Sequence, residues 1–360
     1  MGTGKPAANR GPRARQGRRW QRAAKVGRFV LGLGLAGLAL YVVLTQTGDL
    51  AGSERYLAGL RWQWVLAAAV AQSLSLAAFA GLQGRLLRSG GVRVGLGALS
   101  AITLAGNGLS NSLPAGPAFA TAFSFRQFRR RGADITLASW TIVASTVLAA
   151  VALTALASIG LVVGNTGGNA PGATVEVLAS LGLMVVLLAA FRQVGRAGQA
   201  AVPVLSVCRR LTGHPRGEPE KLVTQVVARL NAIELSLPAL ASAMGWAFGN
   251  WLGDCATLAL AFLAVGVPVP WRGLLVAYGT GQLAANLPIT PGGLGVVEGS
   301  ITIALVAYGG AEASTVAAVL VYRLLSFWVL LPVGWGAVGA LVLGGRRQDR
   351  HLAPETGGAG

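Results

Sequence analysis

Three charged side chains, Asp254, Glu298 and Arg323, stand inside stretches of sequence that are otherwise apolar. A lone charge at membrane depth costs about 3 kcal/mol on insertion scales. The three are therefore expected to be paired, Arg323 neutralising Glu298, Asp254 or both. Such pairs fix helix packing in some proteins and carry a coupling proton in others, so Asp254 and Glu298 are candidates for either role. Glu298 also belongs to the run Pro291-Gly292-Gly293-Leu294-Gly295-Val296-Val297-Glu298-Gly299, where helix breakers interrupt apolar sequence. In hydrocarbon such a break survives only when it is buried in protein or lines a cavity. A half-helix that starts after it aims N–H groups and a positive dipole end inward, where a phosphate can bind. The plainer alternative is that the glycines only permit close helix packing.

A similar break occurs earlier: Asn111 precedes Pro114-Ala115-Gly116-Pro117, and Arg126 follows. The candidate substrate-binding set is thus Asn111, Pro114, Gly116 and Arg126 at the first break, with Asn286, Pro291, Gly292, Gly293, Gly295, Glu298 and Arg323 at the second. Asn107, Asn250 and Gln282 add uncharged polar groups at similar depth, and each serves equally as glue between helices.

Other chemistries are excluded by residue type. The only histidines, His214 and His351, lie in polar segments, so neither a metal site nor a Ser/His/Asp or Cys/His arrangement is expected. Cys208 and Cys255 fall in a loop and an apolar helix and are poor disulfide partners. No Walker motif is present. A non-enzymatic protein without cofactors is expected.

The elements that must hold these groups are membrane helices. The chain is 53% hydrophobic and 12% charged, with a formal net charge of +18 and a mean hydropathy of +0.60. Its Arg and Lys collect in short segments between apolar runs, which is the positive-inside pattern and points to anionic lipid headgroups, not nucleic acid. Residues 1–28 hold nine Lys/Arg and no acid, so a disordered cytosolic arm is expected there. Full spans are expected at 29–45, 62–82, 135–164, 173–191, 238–265 and 312–343, and the first is read as a retained helix, not a signal peptide. Two broken elements, 94–113 with its return to Arg126, Arg129, Arg130 and Arg131, and 273–288 followed by 294–308, read as re-entrant hairpins. The basic loop 192–236 carries apolar residues at helical spacing over 222–233, suited to the membrane surface or to a neighbouring helix. Pro332 is expected to kink the last helix.

The fold class expected is an all-α polytopic membrane protein with six full spans and two re-entrant broken-helix hairpins. Three spans separate the hairpins, so the two copies must be inverted, and the charge pattern opens the first to the inside and the second to the outside. One transmembrane domain, 29–345, then divides into repeats of about 29–164 and 173–345, with 346–360 as a disordered cytosolic tail. Both termini are expected in the cytosol, and the membrane is expected to be the cytoplasmic one.

The run at 291–299, together with the Pro-Ala-Gly element at 114–116 and Arg126 after it, resembles the lysylphosphatidylglycerol synthase transmembrane family, also described as flippase-like. The resemblance covers most of residues 26–345. Where many relatives carry an acid shortly after the first break, this chain has Ala120 and Thr121. The resemblance implies movement of an anionic phospholipid or polyprenyl-linked lipid between leaflets, without the soluble synthase domain. Transport of a small solute and service as a non-transporting membrane partner subunit are the alternatives.

Overall fold

The long apolar runs among the described residues are helical, closing their backbone hydrogen bonds within themselves as hydrocarbon requires of a spanning segment. The computed structural model describes residues 54–113, 115–164, 182, 186, 236–285 and 291–351, and among these there is no strand. After the short α1 (Glu54–Ala58) come α2 (Trp62–Ser89), α3 (Leu96–Ser112), α4 (Gly116–Arg130) and α5 (Ile135–Gly164). The second group is α6 (Leu237–Val265), α7 (Trp271–Ala285), α8 (Val296–Ala307), α9 (Glu312–Arg323) and α10 (Leu330–His351). A 3-10 turn, Pro291–Gly293, precedes α8, and a π turn, Leu324–Trp328, joins α9 to α10.

Among the described residues, four helices are long and apolar enough to cross a membrane: α2, α5, α6 and the run Glu312–Gly344, with mean hydropathies of 1.9, 2.4, 1.4 and 2.1. Their ends follow local chemistry. Asp134 caps α5 by accepting the Leu137 N–H at 2.8 Å. Gly266, at φ 84°, ends α6 in the left-handed region, and its N–H bonds to the Leu263 carbonyl at 3.1 Å.

Small residues set the packing, as expected where lipid is as apolar as the side chains and close dispersion contact must hold helices together. The most extensive contact is α2 along α6, where Gly253 lies against Ser75 and Gly81 against the Trp246 ring. Each hairpin packs its own two helices together, α3 on α4 and α7 on α8. Each also lays its first helix on a long helix outside it, α3 on α10 and α7 on α5. Both of these crossings use glycine: Gly108 meets Gly334, and Gly160 and Gly279 face Leu275 and Ala157. Apolar clusters fill the interior between α5 and α9, around α2 to α5, and between α2, α5 and α6.

Of the six expected spans, those at 62–82, 135–164, 238–265 and 312–343 coincide with α2, α5, α6 and the α9–α10 run, α2 continuing past Arg85 and Arg88 to Ser89. The span at 29–45 and the surface helix at 222–233 lie outside the described residues, and of 173–191 only Gly182 and Val186 are described, both helical. The discontinuity expected at Pro332 is realised upstream. The Val329 N–H reaches back five residues to the Leu324 carbonyl at 2.9 Å, and Pro332 has no N–H to offer the Trp328 carbonyl.

Candidate functional site

The two broken elements and the long helices around them line a partly open cavity of about 650 Å³. Its polar wall is built first from α6. Asp254, 8% exposed, receives three hydrogen bonds on one carboxylate oxygen. The Tyr278 hydroxyl of α7 donates to Oδ2 at 2.7 Å, the Tyr322 hydroxyl of α9 at 3.0 Å, and Gln282 Nε2 of α7 at 3.0 Å. Gln282 Nε2 also donates to the Tyr322 hydroxyl at 3.2 Å. The other oxygen, Oδ1, has no hydrogen-bond partner. Gln72 of α2 approaches the same carboxylate more distantly, its amide N–H group acting as a further donor. Tyrosine at this depth works because the ring packs as an apolar body while its hydroxyl finds the acid.

The next residue on α9 serves a different acid. Arg323 is 7% exposed, and its Nε donates to Glu298 Oε1 at 2.6 Å. Its Nη2 donates to the Gly292 carbonyl at 3.1 Å, and the guanidinium lies 4.5 Å from the centre of the Phe327 ring. Glu298 Oε2 accepts the Gly295 N–H at 2.8 Å, capping α8. Arginine suits this work because its planar fork reaches an acid and a carbonyl at once and stacks on an aromatic face. The chain can adopt the turn because Gly292, Gly293 and Gly295 take φ values of 65°, 69° and 78°. The pair expected between Arg323 and an acid is therefore made with Glu298, and no salt bridge joins Arg323 to Asp254 among the described residues.

The first break is tighter. Ala115 reverses the chain at φ 55°, a left-handed conformation unusual for alanine, and α4 starts at Gly116. Gly116 N–H bonds to the Leu113 carbonyl at 2.9 Å and Ala118 N–H to the Ala115 carbonyl at 3.0 Å, while Pro117 has no N–H. The unpaired N–H groups expected there are thus taken up by the backbone itself. What remains is the positive end of a helix with no acid in its first turn, and Ala115, Gly116 and Pro117 border the cavity. The two breaks touch: a side chain on Gly292 would come within 3.5 Å of the Asn111 carbonyl.

The profile of the lysylphosphatidylglycerol synthase TM region matches residues 29–334. The chain belongs to this family. As a member of it, with four helices able to cross a membrane, it is a multi-pass membrane protein. It is 40% identical over 97 residues to a UPF0104 membrane protein of Methanothermobacter thermautotrophicus, a match covering 27% of each protein. Two further matches of that description from the same organism are 33% identical, over 87 residues (24% of this chain, 25% of the relative) and over 89 residues (24% and 26%). The chain thus matches about a quarter of the length of these curated relatives.

In this member of the lysylphosphatidylglycerol synthase TM family, Asn111, Gly116, Asp254, Gly292 and Arg323 come together on the cavity, with Asn107, Asn250 and Gln282. Glu298, Gly295 and Gly293 stand behind that wall in the clamp that shapes it. Arg126 is exposed on α4 and is not among the lining residues. Pro291 opens the 3-10 turn, and Pro114 and Asn286 lie outside the described residues. The polar partners Gln72, Tyr278 and Tyr322 were not singled out from sequence. For Gln72 the signal was present, an amide midway along the largely apolar α2 with Ser73 and Ser75 beside it. For the tyrosines only the fold shows that they point at an acid and not at an interface.

Proposed function

We propose that this chain is a lipid translocator of the cytoplasmic membrane, passing the headgroup of an anionic phospholipid or polyprenyl-linked lipid through the cavity while its acyl chains stay in the bilayer. The observation that carries this reading is a 650 Å³ cavity with a polar wall, set among helices long enough to span a membrane, in a chain of this family. The headgroup phosphate would be drawn by the positive end of α4 at Gly116 and by Arg323, with Arg126 receiving it at the surface end of α4. Asp254 and Glu298 are the acids available for coupling. The reading is non-enzymatic: the wall is suited to binding and release, not to a bond-making step.

An inverted repeat would let such a site face each leaflet in turn. Its support is the reciprocal packing, in which each hairpin rests on the last long helix of the other half through glycines. In this reading both termini face the cytosol, as the distribution of Arg between apolar runs indicates.

The test is a leaflet-asymmetry assay in proteoliposomes with labelled phosphatidylglycerol and a polyprenyl phosphate. Movement faster than in protein-free vesicles is expected for at least one. Rates equal to the protein-free control for both would overturn the reading, and uptake of a water-soluble anion instead would replace it with solute transport.

A further inference from the structure

The two membrane-embedded acids are not equivalent. Glu298 has Arg323 at 2.6 Å and a backbone N–H at 2.8 Å, so both of its oxygens are satisfied and its charge is matched. Asp254 has three close donors on Oδ2, none within hydrogen-bond distance of Oδ1 with the Gln72 amide further off, and no cation paired with it among the described residues. Counting Asp254, Glu298 and Arg323 together leaves one negative charge in excess. A buried acceptor without a donor costs about 1–3 kcal/mol, more when it is charged. Asp254 is not alone in this. Gln72, which faces it from α2 and is 7% exposed, leaves Oε1 without a partner. Thr103 Oγ1, on α3 and 6% exposed, is also unpartnered. All three residues line the same cavity.

We propose that Asp254 and Gln72 form a binding site for one monovalent cation, a proton or a sodium ion, held on Asp254 Oδ1, with the Gln72 amide turning over to present Oε1 as its second oxygen partner. One positive charge restores neutrality, and a divalent ion would overshoot it. Only oxygen atoms are offered, which suits a hard cation and not a transition metal. The Tyr278 and Tyr322 hydroxyls and the Gln282 amide occupy Oδ2 and so turn the free oxygen toward the ion. Because Tyr322 and Arg323 are consecutive on α9, occupancy of the Asp254 site is coupled to the clamp that holds the second break. The binding site rests on this geometry; its service as the coupling ion of transport rests on the translocator reading above.

The titratable and charged groups facing Asp254 are Tyr278 from α7, Tyr322 and Arg323 from α9, and Cys255 beside it on α6. Gln72 of α2 reaches it, and Thr103 and Asn107 of α3 line the same cavity; none of these titrates.

The experiment is thermal unfolding of the full chain in detergent. One arm replaces choline chloride by sodium chloride at constant ionic strength and pH 8; the other lowers pH from 8 to 5 without sodium. A cation that binds the folded state raises Tm by linkage, so a saturable rise in the first arm identifies sodium, and a rise in the second alone identifies a proton. Asp254→Asn, neutral and nearly isosteric, should abolish whichever response is seen. Gln72→Met, which keeps volume and removes the oxygen, should weaken the response about tenfold in half-saturating cation. The absence of both responses, or a response unchanged in Asp254→Asn, overturns the site. If Asp254→Asn does not fold, an unchanged response in Gln72→Met does so. Lipid movement is measured separately in proteoliposomes: a failed cation response with lipid movement intact removes the site and leaves the translocator, and the reverse leaves the site and removes the translocator.

Discussion

The two broken elements solve one problem in different ways. The first, between α3 and α4, is short and uncharged: the left-handed Ala115, the N–H-less Pro117 and two backbone hydrogen bonds close it. The second, between α7 and α8, uses three glycines at positive φ and is fastened from outside by Arg323, which grips both Glu298 and the Gly292 carbonyl. Glu298 sits three residues after the capping glycine of α8, and the position that corresponds to it in α4 is Ala118. The second helix end is thus neutralised by its own acid, whereas the first presents its positive end to the cavity. A pair of like breaks has been divided into a clamped end and an unclamped one, and the difference lies in one acid and one arginine.

The largest effect is expected from removing the clamp. Arg323→Met leaves the partly buried Glu298 carboxylate, its side chain 15% exposed, without its cation; loss of one partner of a fully buried pair costs about 3–5 kcal/mol, and the cost here is expected toward the lower end of that range. Thermal unfolding in detergent should show a large fall in Tm, with much of it recovered in the double variant Arg323→Met/Glu298→Gln. A double variant no more stable than the single one would mean that Arg323 acts through Phe327 and not through the acid.

The next effect separates the two glycine crossings that seat the hairpins. A Cβ at Gly334 would lie 2.6 Å from the Leu104 carbonyl, and one at Gly279 3.0 Å from Ala157 Cβ. Overpacking costs about 1–3 kcal/mol, so Gly334→Ala should lower Tm more than Gly279→Ala. The reverse order would mean that the second hairpin is the more rigidly seated of the two.

Turn conformation gives a smaller and opposite pair. Ala115→Gly relieves a left-handed alanine worth about 1 kcal/mol and should raise Tm slightly. Gly292→Ala puts a side chain at φ 65° against the Phe327 ring and should lower it. Equal responses would erase the distinction between a strained first break and a glycine-dependent second one.

The smallest effect on stability is the most informative about function. Ala118→Glu gives α4 the acid that α8 already has, adding about 0.3–1 kcal/mol at an exposed helix end. Stability should hold or rise while lipid movement in proteoliposomes falls. Undiminished lipid movement would show that the positive end of α4 does not meet the headgroup.

Much of the fold was legible because membrane helices announce themselves by composition. The run at 135–164 and helix α5 share their bounds, and the breaks at 114–117 and 291–295 fall where Pro and Gly forbid a continuous helix. The need for Arg323 to pair was equally legible, since an unpaired arginine at that depth is too costly to keep. Its choice of Glu298 over Asp254 was not, because both acids lie at comparable depth and sequence carries no distance. Arg126 shows the converse: a charge near a break in sequence is carried away from the cavity as α4 runs on beyond it.

Composition, breaker positions and the cost of burying charge thus determined by themselves that this is a helical membrane protein with two interrupted elements and paired intramembrane charge. Those constraints act along the chain, residue by residue, and need no knowledge of neighbours. Which acid takes the arginine, which oxygen is left without a donor, and which helix end faces the cavity were decided only by tertiary structure. Each depends on angstrom-scale approach between helices far apart in sequence, such as Gln72 on α2, Asp254 on α6 and Tyr322 on α9.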